Sequence, residues 1–175
     1  INIIPIKYKK LYDMGEDLLS MTWSAKANTN FAADKEHYDN FPEQNKDLIR
    51  IPLAFFARAD KLILDNIQEN FASKVVVPEV EAFYTYKSAN ETVHNIAYGL
   101  QIDGIFKDEK ERALLFDGIN TIPIVKKMAA FASKYFKSDQ ILATRIIASI
   151  CMESLFFEPA FTIIAFLGTK RLFPQ

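Results

Sequence analysis

The chain has 175 residues, enough for one domain with a sizeable core, and half of them are hydrophobic, with fifteen Phe. A formal net charge of −1 gives no basic surface of the kind that nucleic acid or anionic membranes require. One cysteine, Cys151, excludes an internal disulfide framework and fits a reducing, cytoplasmic setting.

Few Gly and Pro predict long helices with short connections. Lys7 to Leu19 has a loose helical pattern through Leu11, Leu18 and Leu19. Trp23, the only tryptophan, precedes a polar stretch, Ala27 to Asn30, that reads as a loop. His37 lies in the polar run Asp-Lys-Glu-His-Tyr-Asp and reads as a surface or capping residue. A first long helix is expected from about Pro42 to Ser73, since Pro is favoured in a first helical turn. Asp60 falls on its apolar face with Leu53, Phe56, Leu64 and Ile67. From position alone, Asp60 is either a salt-bridge partner of Arg58, Lys61 or a neighbouring helix, or a buried ligand.

A second long helix is predicted from Pro78 to Phe106. It carries Asn-Glu-Thr-Val-His-Asn-Ile-Ala-Tyr from Asn90 to Tyr98. At about 100° per residue, Glu91, His94 and Tyr98 fall within an arc of roughly 60°. A carboxylate, an imidazole and a phenol thus share one face. Apolar flanks (Phe83, Tyr84, Ile96, Leu100, Ile102) point that face into a bundle. A buried carboxylate there needs a cation or a full set of hydrogen bonds. Inward Glu-x-x-His is how helical bundles that hold two metal ions supply one pair of ligands. A lone Glu-x-x-His also arises by chance on exposed helices, so its weight depends on other inward carboxylates.

Asp108 to Gly118 reads as a short charged helix with Asp108 as N-cap. Another helix starts near Thr121 or Pro123 and runs to about Phe136. Ser138 or Asp139 is expected to cap the last long helix. Its segment Ile146 to Leu167 is the most apolar of the sequence and near the length of a membrane span, roughly 20 residues. Glu153 and Glu158 near its middle oppose lipid exposure, so it reads as a buried central helix. No basic residue lies within a turn of Glu153, so its counter-charge must come from elsewhere in the fold. Pro159 should bend or open the helix just after Glu153. Phe157 and Phe161 follow on the face of Glu153.

Asp60, Glu91, His94 and Glu153 therefore arrive on three apolar helices. Three carboxylates and one imidazole make a hard site suited to iron or manganese. Gly-rich phosphate loops, Gly-x-Ser-x-Gly and Cys-x-x-Cys are absent from the sequence.

The ordered blocks resemble a known family. Glu91-Thr-Val-His94-Asn-Ile-Ala-Tyr98 is similar to the ligand-and-tyrosine motif of the small, radical-generating subunit of class I ribonucleotide reductase. Leu53-Ala-Phe-Phe-Ala-Arg-Ala-Asp60 resembles its first-ligand helix, and Pro78 to Tyr86 its entry into the second. Arg145 to Phe157 resembles the helix of its third carboxylate, and Ala165 to Pro174 the end of that helix. The resemblance runs from about Trp23 to the C-terminal end.

It implies an all-α, ferritin-like bundle over residues 1–175 as a single domain, incomplete at its C-terminal end. It implies metal ligands Asp60, Glu91, His94 and Glu153 and a radical-bearing Tyr98. Trp23 resembles the near-metal tryptophan of the radical path, although Lys26, Ala27 and Asn28 replace the acidic residues that usually follow it. The implied cofactor is two iron ions per complete subunit, with dimanganese or mixed manganese–iron as alternatives. The implied partners are a second copy, as a homodimer, and a large catalytic subunit; neither nucleic acid nor membrane is implied. The family's second Glu-x-x-His and its C-terminal docking tail have no counterpart before Gln175. The expectation is therefore an incomplete, split or inactive subunit whose apolar last helix needs a cover. Competing readings are another ferritin-like dimetal protein (a ligand-binding oxidase or iron store) and a non-enzymatic interaction module with salt-bridged polar residues.

Overall fold

The computed structural model describes residues 2–26, 31–72 and 74–173; the expected loop at Ala27 to Asn30 lies outside them. Among the described residues the elements are helical and no strand occurs. In chain order they are α1 (Lys9–Ser20), α2 (Ala32–Asn40), α3 (Asp47–Asn66), α4 (Pro78–Ile105), α5 (Glu109–Phe116), α6 (Gly118–Thr121), α7 (Pro123–Tyr135), α8 (Leu142–Ile150) and α9 (Phe157–Thr169). A 3₁₀ turn precedes α3, and π-helical segments follow α3 (Ile67–Ala72) and join α8 to α9 (Cys151–Phe156).

The core sits on α3. Its buried positions Ile49, Leu53, Phe56, Asp60, Ile63 and Ile67 repeat at spacings of three and four, the period that places residues on one helical face. Asp60 is thus a carboxylate in the middle of an apolar stripe. The short connection after the π-helical segment turns the backbone around, so α4 runs antiparallel to α3. Phe71 stacks on Tyr84 at one end, with ring centroids 5.5 Å apart. Asn95 donates to the Ala57 carbonyl at 3.2 Å in the middle, and Phe56 stacks on Tyr98 further on.

On its other side α4 is flanked by α1, which runs parallel to it. The Glu79 carboxylate accepts from the backbone N–H groups of Lys7 and Tyr8, at 2.6 and 3.0 Å. Asn90, eleven residues on, donates to the Leu18 carbonyl. The backbone of α4 also passes close to α2: a Cβ on Gly104 would lie 2.7 Å from Phe31 Cβ, so only glycine fits.

α9 packs along α3 in the opposite direction, and α8 reaches the π-helical segment that follows α3. Arg145 meets Asn70 near the start of α8, and Phe157 and Phe161 meet Phe56 on α9. The π-helical turn after α3 is tied down by this contact. The Arg145 guanidinium donates to the Asn70 carbonyl and side-chain oxygen, at 3.2 and 2.8 Å, and the Asn70 amide donates to the Phe136 carbonyl.

Several expectations shift. α3 begins at Asp47 rather than Pro42, because Pro42 is extended and leads only the 3₁₀ turn. α2 was hidden by its polar composition; its buried Tyr38 hydrogen-bonds Glu111, which also holds Arg50. His37 caps no helix end; it is part-buried and accepts the Phe173 backbone N–H at 2.9 Å, which ties the segment after α9 to α2. Asp108 caps α5 through the Glu111 N–H. Neither Ser138 nor Asp139 caps α8, which starts at Leu142 after a turn.

The final apolar stretch departs most. Leu142–Thr169 has the length and hydropathy of a membrane span, yet is only 22% buried over its most apolar window. Ile147, Ile150, Leu155 and Phe166 are exposed rather than central. Among the described residues α3, not α8 or α9, is the inner helix. The opening in this stretch also lies earlier than expected. Pro159 lies inside the continuous helical stretch Leu142–Thr169, where its missing N–H removes a ladder bond, and the backbone widens in the turn before it, across Cys151–Phe156. Glu153 is therefore inside the opened turn rather than before it.

Candidate metal centre

α3 contributes Asp60, 2% exposed, and α4 contributes Glu91, 7% exposed, and His94. One ligand atom from each lies within 4.8 Å of the others. The three face one another because antiparallel α3 and α4 bring their inward stripes into register. Glu91 Oε2 and His94 Nδ1 are 3.4 Å apart. Asp60 Oδ2 is buried with no hydrogen-bond partner. The ion pair that position alone would allow with Lys61 is not formed, because Lys61 pairs with Asp65.

The electrostatics follow from burial and neighbours. Burial, followed by the charge of Glu91, raises the Asp60 carboxyl to about 7. Glu91 goes the other way. Burial works against its charged form, but hydrogen bonds and charge from His94 and Lys87 outweigh that and hold it below the usual carboxylate range. His94 is raised, first by its hydrogen bond to Glu91. An orphaned, desolvated carboxylate oxygen beside a second carboxylate and an imidazole nitrogen fits a hard divalent cation.

Glu153 stands apart from this trio and is not the buried carboxylate expected: its side chain is 35% exposed. Its Oε2 lies 2.7 Å from Lys87 Nζ, which is also 2.8 Å from Glu91 Oε1. Ser149 Oγ donates to the other Glu153 oxygen at 3.3 Å. The counter-charge that Glu153 lacked in its own helix is therefore Lys87, from α4. Sequence reasoning did not single out this lysine. The available signal was its spacing, one turn before Glu91 on the same face.

Tyr98, Trp23, Phe157 and Phe161 line the same cavity of about 330 Å³ as Asp60, Glu91, His94 and Glu153. The Tyr98 hydroxyl is held well above the usual phenol value, first by burial, then by the charges of Asp60 and Glu91. Its ring stacks on Phe56 at 4.7 Å, and Phe56 lies 5.5 Å from Phe157 and 4.8 Å from Phe161. The aromatic enclosure thus has Phe56 at its centre, a residue that sequence reasoning read only as core. Trp23 is 44% exposed, and its ring centroid is 6.2 Å from that of His94.

Comparison with known proteins agrees with this architecture. Over 172 residues the sequence is 33% identical to one of the ribonucleoside-diphosphate reductase small chains of Arabidopsis thaliana, a match that takes in 50% of that protein and 98% of this one. It is 32% identical over 173 residues to the corresponding small chain of African swine fever virus, taking in 52% of that protein and 98% of this one. The chain thus spans about half the length of these curated relatives. Its fold matches the dimanganese(II) NrdF of Streptococcus sanguinis with a TM-score of 0.88 at 18% identity, over 60% of that protein and 99% of this one. The Rnr4 homodimer of Saccharomyces cerevisiae matches with a TM-score of 0.84 at 26% identity, over 55% of its chain length and 99% of the length here. The family described as "Ribonucleotide reductase, small chain" matches residues 1–175, and the chain belongs to that family.

Proposed function

We propose that this chain carries the radical-generating site of a ribonucleoside-diphosphate reductase small subunit. In this reading Asp60, Glu91, His94 and Glu153 hold metal, Tyr98 bears the radical, and Trp23 begins the path outward. The observation that carries it is the trio of Asp60, Glu91 and His94, with an orphaned carboxylate oxygen, in the cavity that Tyr98 lines. The cofactor is two iron ions in a complete subunit, with dimanganese and mixed manganese–iron centres compatible with the same donors. When bound, that centre supplies the oxidising power, drawn from dioxygen, to take an electron from a nearby phenol.

The residues of this protein do the rest. Asp60 and Glu91 offer negative charge to the cations, and His94 offers a neutral nitrogen. Burial keeps Tyr98 protonated at rest, so its oxidation must release the hydroxyl proton, and Asp60 and Glu91 are the carboxylates whose charges it feels. Buried Phe56, stacked on the Tyr98 ring and backed by buried Phe157, keeps water from that face and resists oxidation itself; Phe161 is part-exposed at the cavity's edge. The half-exposed Trp23, beside His94, stands between the cavity and solvent. The whole-protein features of this reading are a homodimer, a large partner subunit that reduces ribonucleotides, and a cytoplasmic setting.

Adding iron(II) and oxygen to the protein should give a tyrosyl electron paramagnetic resonance signal. Tyr98→Phe should lose the signal yet keep its bound metal. A metal-loaded protein without that signal would favour another dimetal bundle, such as an oxidase or an iron store. One observation favours a third reading, a non-enzymatic helical partner: Lys87 already satisfies Glu91 and Glu153 together. Melting temperature and metal analysis separate the two, since a metal that binds only the folded state must raise its stability.

A further inference from the structure

We infer that the Lys87 ammonium is an internal rival of the metal: it bridges Glu91 and Glu153, and a cation loads there in exchange for it. The inference rests on the metal-site reading above. Lys87 Nζ is 2.8 Å from Glu91 Oε1 and 2.7 Å from Glu153 Oε2, the contacts a bridging cation would take. Each of these oxygens is thereby unavailable as a ligand until the amine leaves. The two carboxylates come from different helices, α4 and the opened turn after α8, so the ammonium also sets how far apart these helices stand.

The amine has somewhere to go. A second cavity, of about 420 Å³, adjoins the metal-site cavity, and Glu153 lines both. Lys87 lines this second cavity with Phe71, Phe83, Tyr84 and Ile150. The lysine stem can lie along these apolar groups while the charged end swings toward the open mouth, as long cationic side chains do. Glu91 and Glu153 are then free to ligate. The ammonium pairs with Glu91 and Glu153 rather than with Asp60, so Asp60 and His94 can hold a first cation before the exchange.

Manganese(II) is the probe, titrated into the full-length protein, the Lys87→Gln variant and the charge-retaining Lys87→Arg variant. Lys87→Gln should bind about tenfold more tightly, the scale on which groups adjoining ligands tune metal affinity. Lys87→Arg should stay near the wild type. In the unaltered protein, acetylation of Lys87 followed by mass spectrometry should rise as manganese(II) releases the amine, a readout that does not depend on either variant folding. Wild-type binding with equal or weaker affinity in Lys87→Gln, or with unchanged Lys87 labelling, would overturn the inference and leave the metal site standing. If none of the proteins takes up manganese(II), the inference and the metal-site reading fall together.

Discussion

The two sides of the candidate centre are built differently. On α3 and α4 the two carboxylates are sealed: Asp60 and Glu91 are buried, and Phe56 and Ile63 beside Asp60 are nearly inaccessible, while His94 is the part-exposed member at 38%. On α8 and α9 the composition is as apolar, yet Glu153 is part-exposed and Ile147, Ile150 and Leu155 face outward. The difference lies in neighbours rather than in residue type. α3 is flanked by α4, α5, α7 and α9, whereas one face of α8 and α9 meets no element among the described residues. A sealed side can hold a carboxylate without solvent and therefore needs a cation. An open side can hydrate its glutamate and borrow a lysine.

Substitutions should separate the two sides. The largest effect is expected at the sealed side: Phe56→Ala removes the ring that Tyr98, Phe157 and Phe161 share, and should cost roughly 3–5 kcal/mol in chemical denaturation. A loss near the scale of a surface change would mean that the aromatic cluster is loose and the contrast false. Gly104→Ala tests the close approach of α4 to α2. The added methyl meets Phe31, and a loss of roughly 1–3 kcal/mol is expected from overpacking.

Glu79 gives the pH-dependent member of the series. Hydrogen bonds from the backbone N–H groups of Tyr8, of Glu79 itself and of Lys7 hold its carboxyl below the usual range. A depressed folded-state value means the unfolded chain binds the proton more readily. The contribution is therefore present above the ordinary glutamate value and lost as pH falls through the depressed one. The protection of the Lys7 and Tyr8 amides against hydrogen exchange, relative to their intrinsic rates at each pH, should fall on acidification before that of the α3–α4 core, and Glu79→Gln should flatten that response. The smallest effect belongs to the open side. Ile147→Lys should change the stability of the isolated protein by no more than about 0.5 kcal/mol, as surface substitutions do. A loss of several times that on thermal melting would show that this face is covered in solution.

Much of the centre was legible in residue spacing. Glu91, His94 and Tyr98 are fixed to one face by helical geometry alone, and Asp60 by its place in the stripe from Leu53 to Ile67. Both long helices were legible too: α3 by an apolar period that extends over many turns, and α4 by Pro78 in its first turn and the spacing of Glu91, His94 and Tyr98. α2 was not, since nine largely polar residues carry little periodicity and its anchor, Tyr38, is buried by distant Arg50 and Glu111. The π-helical segment after α3 was equally hidden, because the Asn70 carbonyl within it is satisfied by Arg145, seventy-five residues away.

By itself, the order of side chains determined the helical class, the inward faces of α3 and α4, and the donor types offered to a cation. These follow from local periodicity, which needs no knowledge of neighbours. Tertiary structure decided which carboxylate is dry and which is wet, that Lys87 stands between Glu91 and Glu153, and that the most apolar segment lies at the edge. Burial and ion pairing depend on what packs against a residue from far along the backbone, and hydrophobicity along the sequence does not encode that partner.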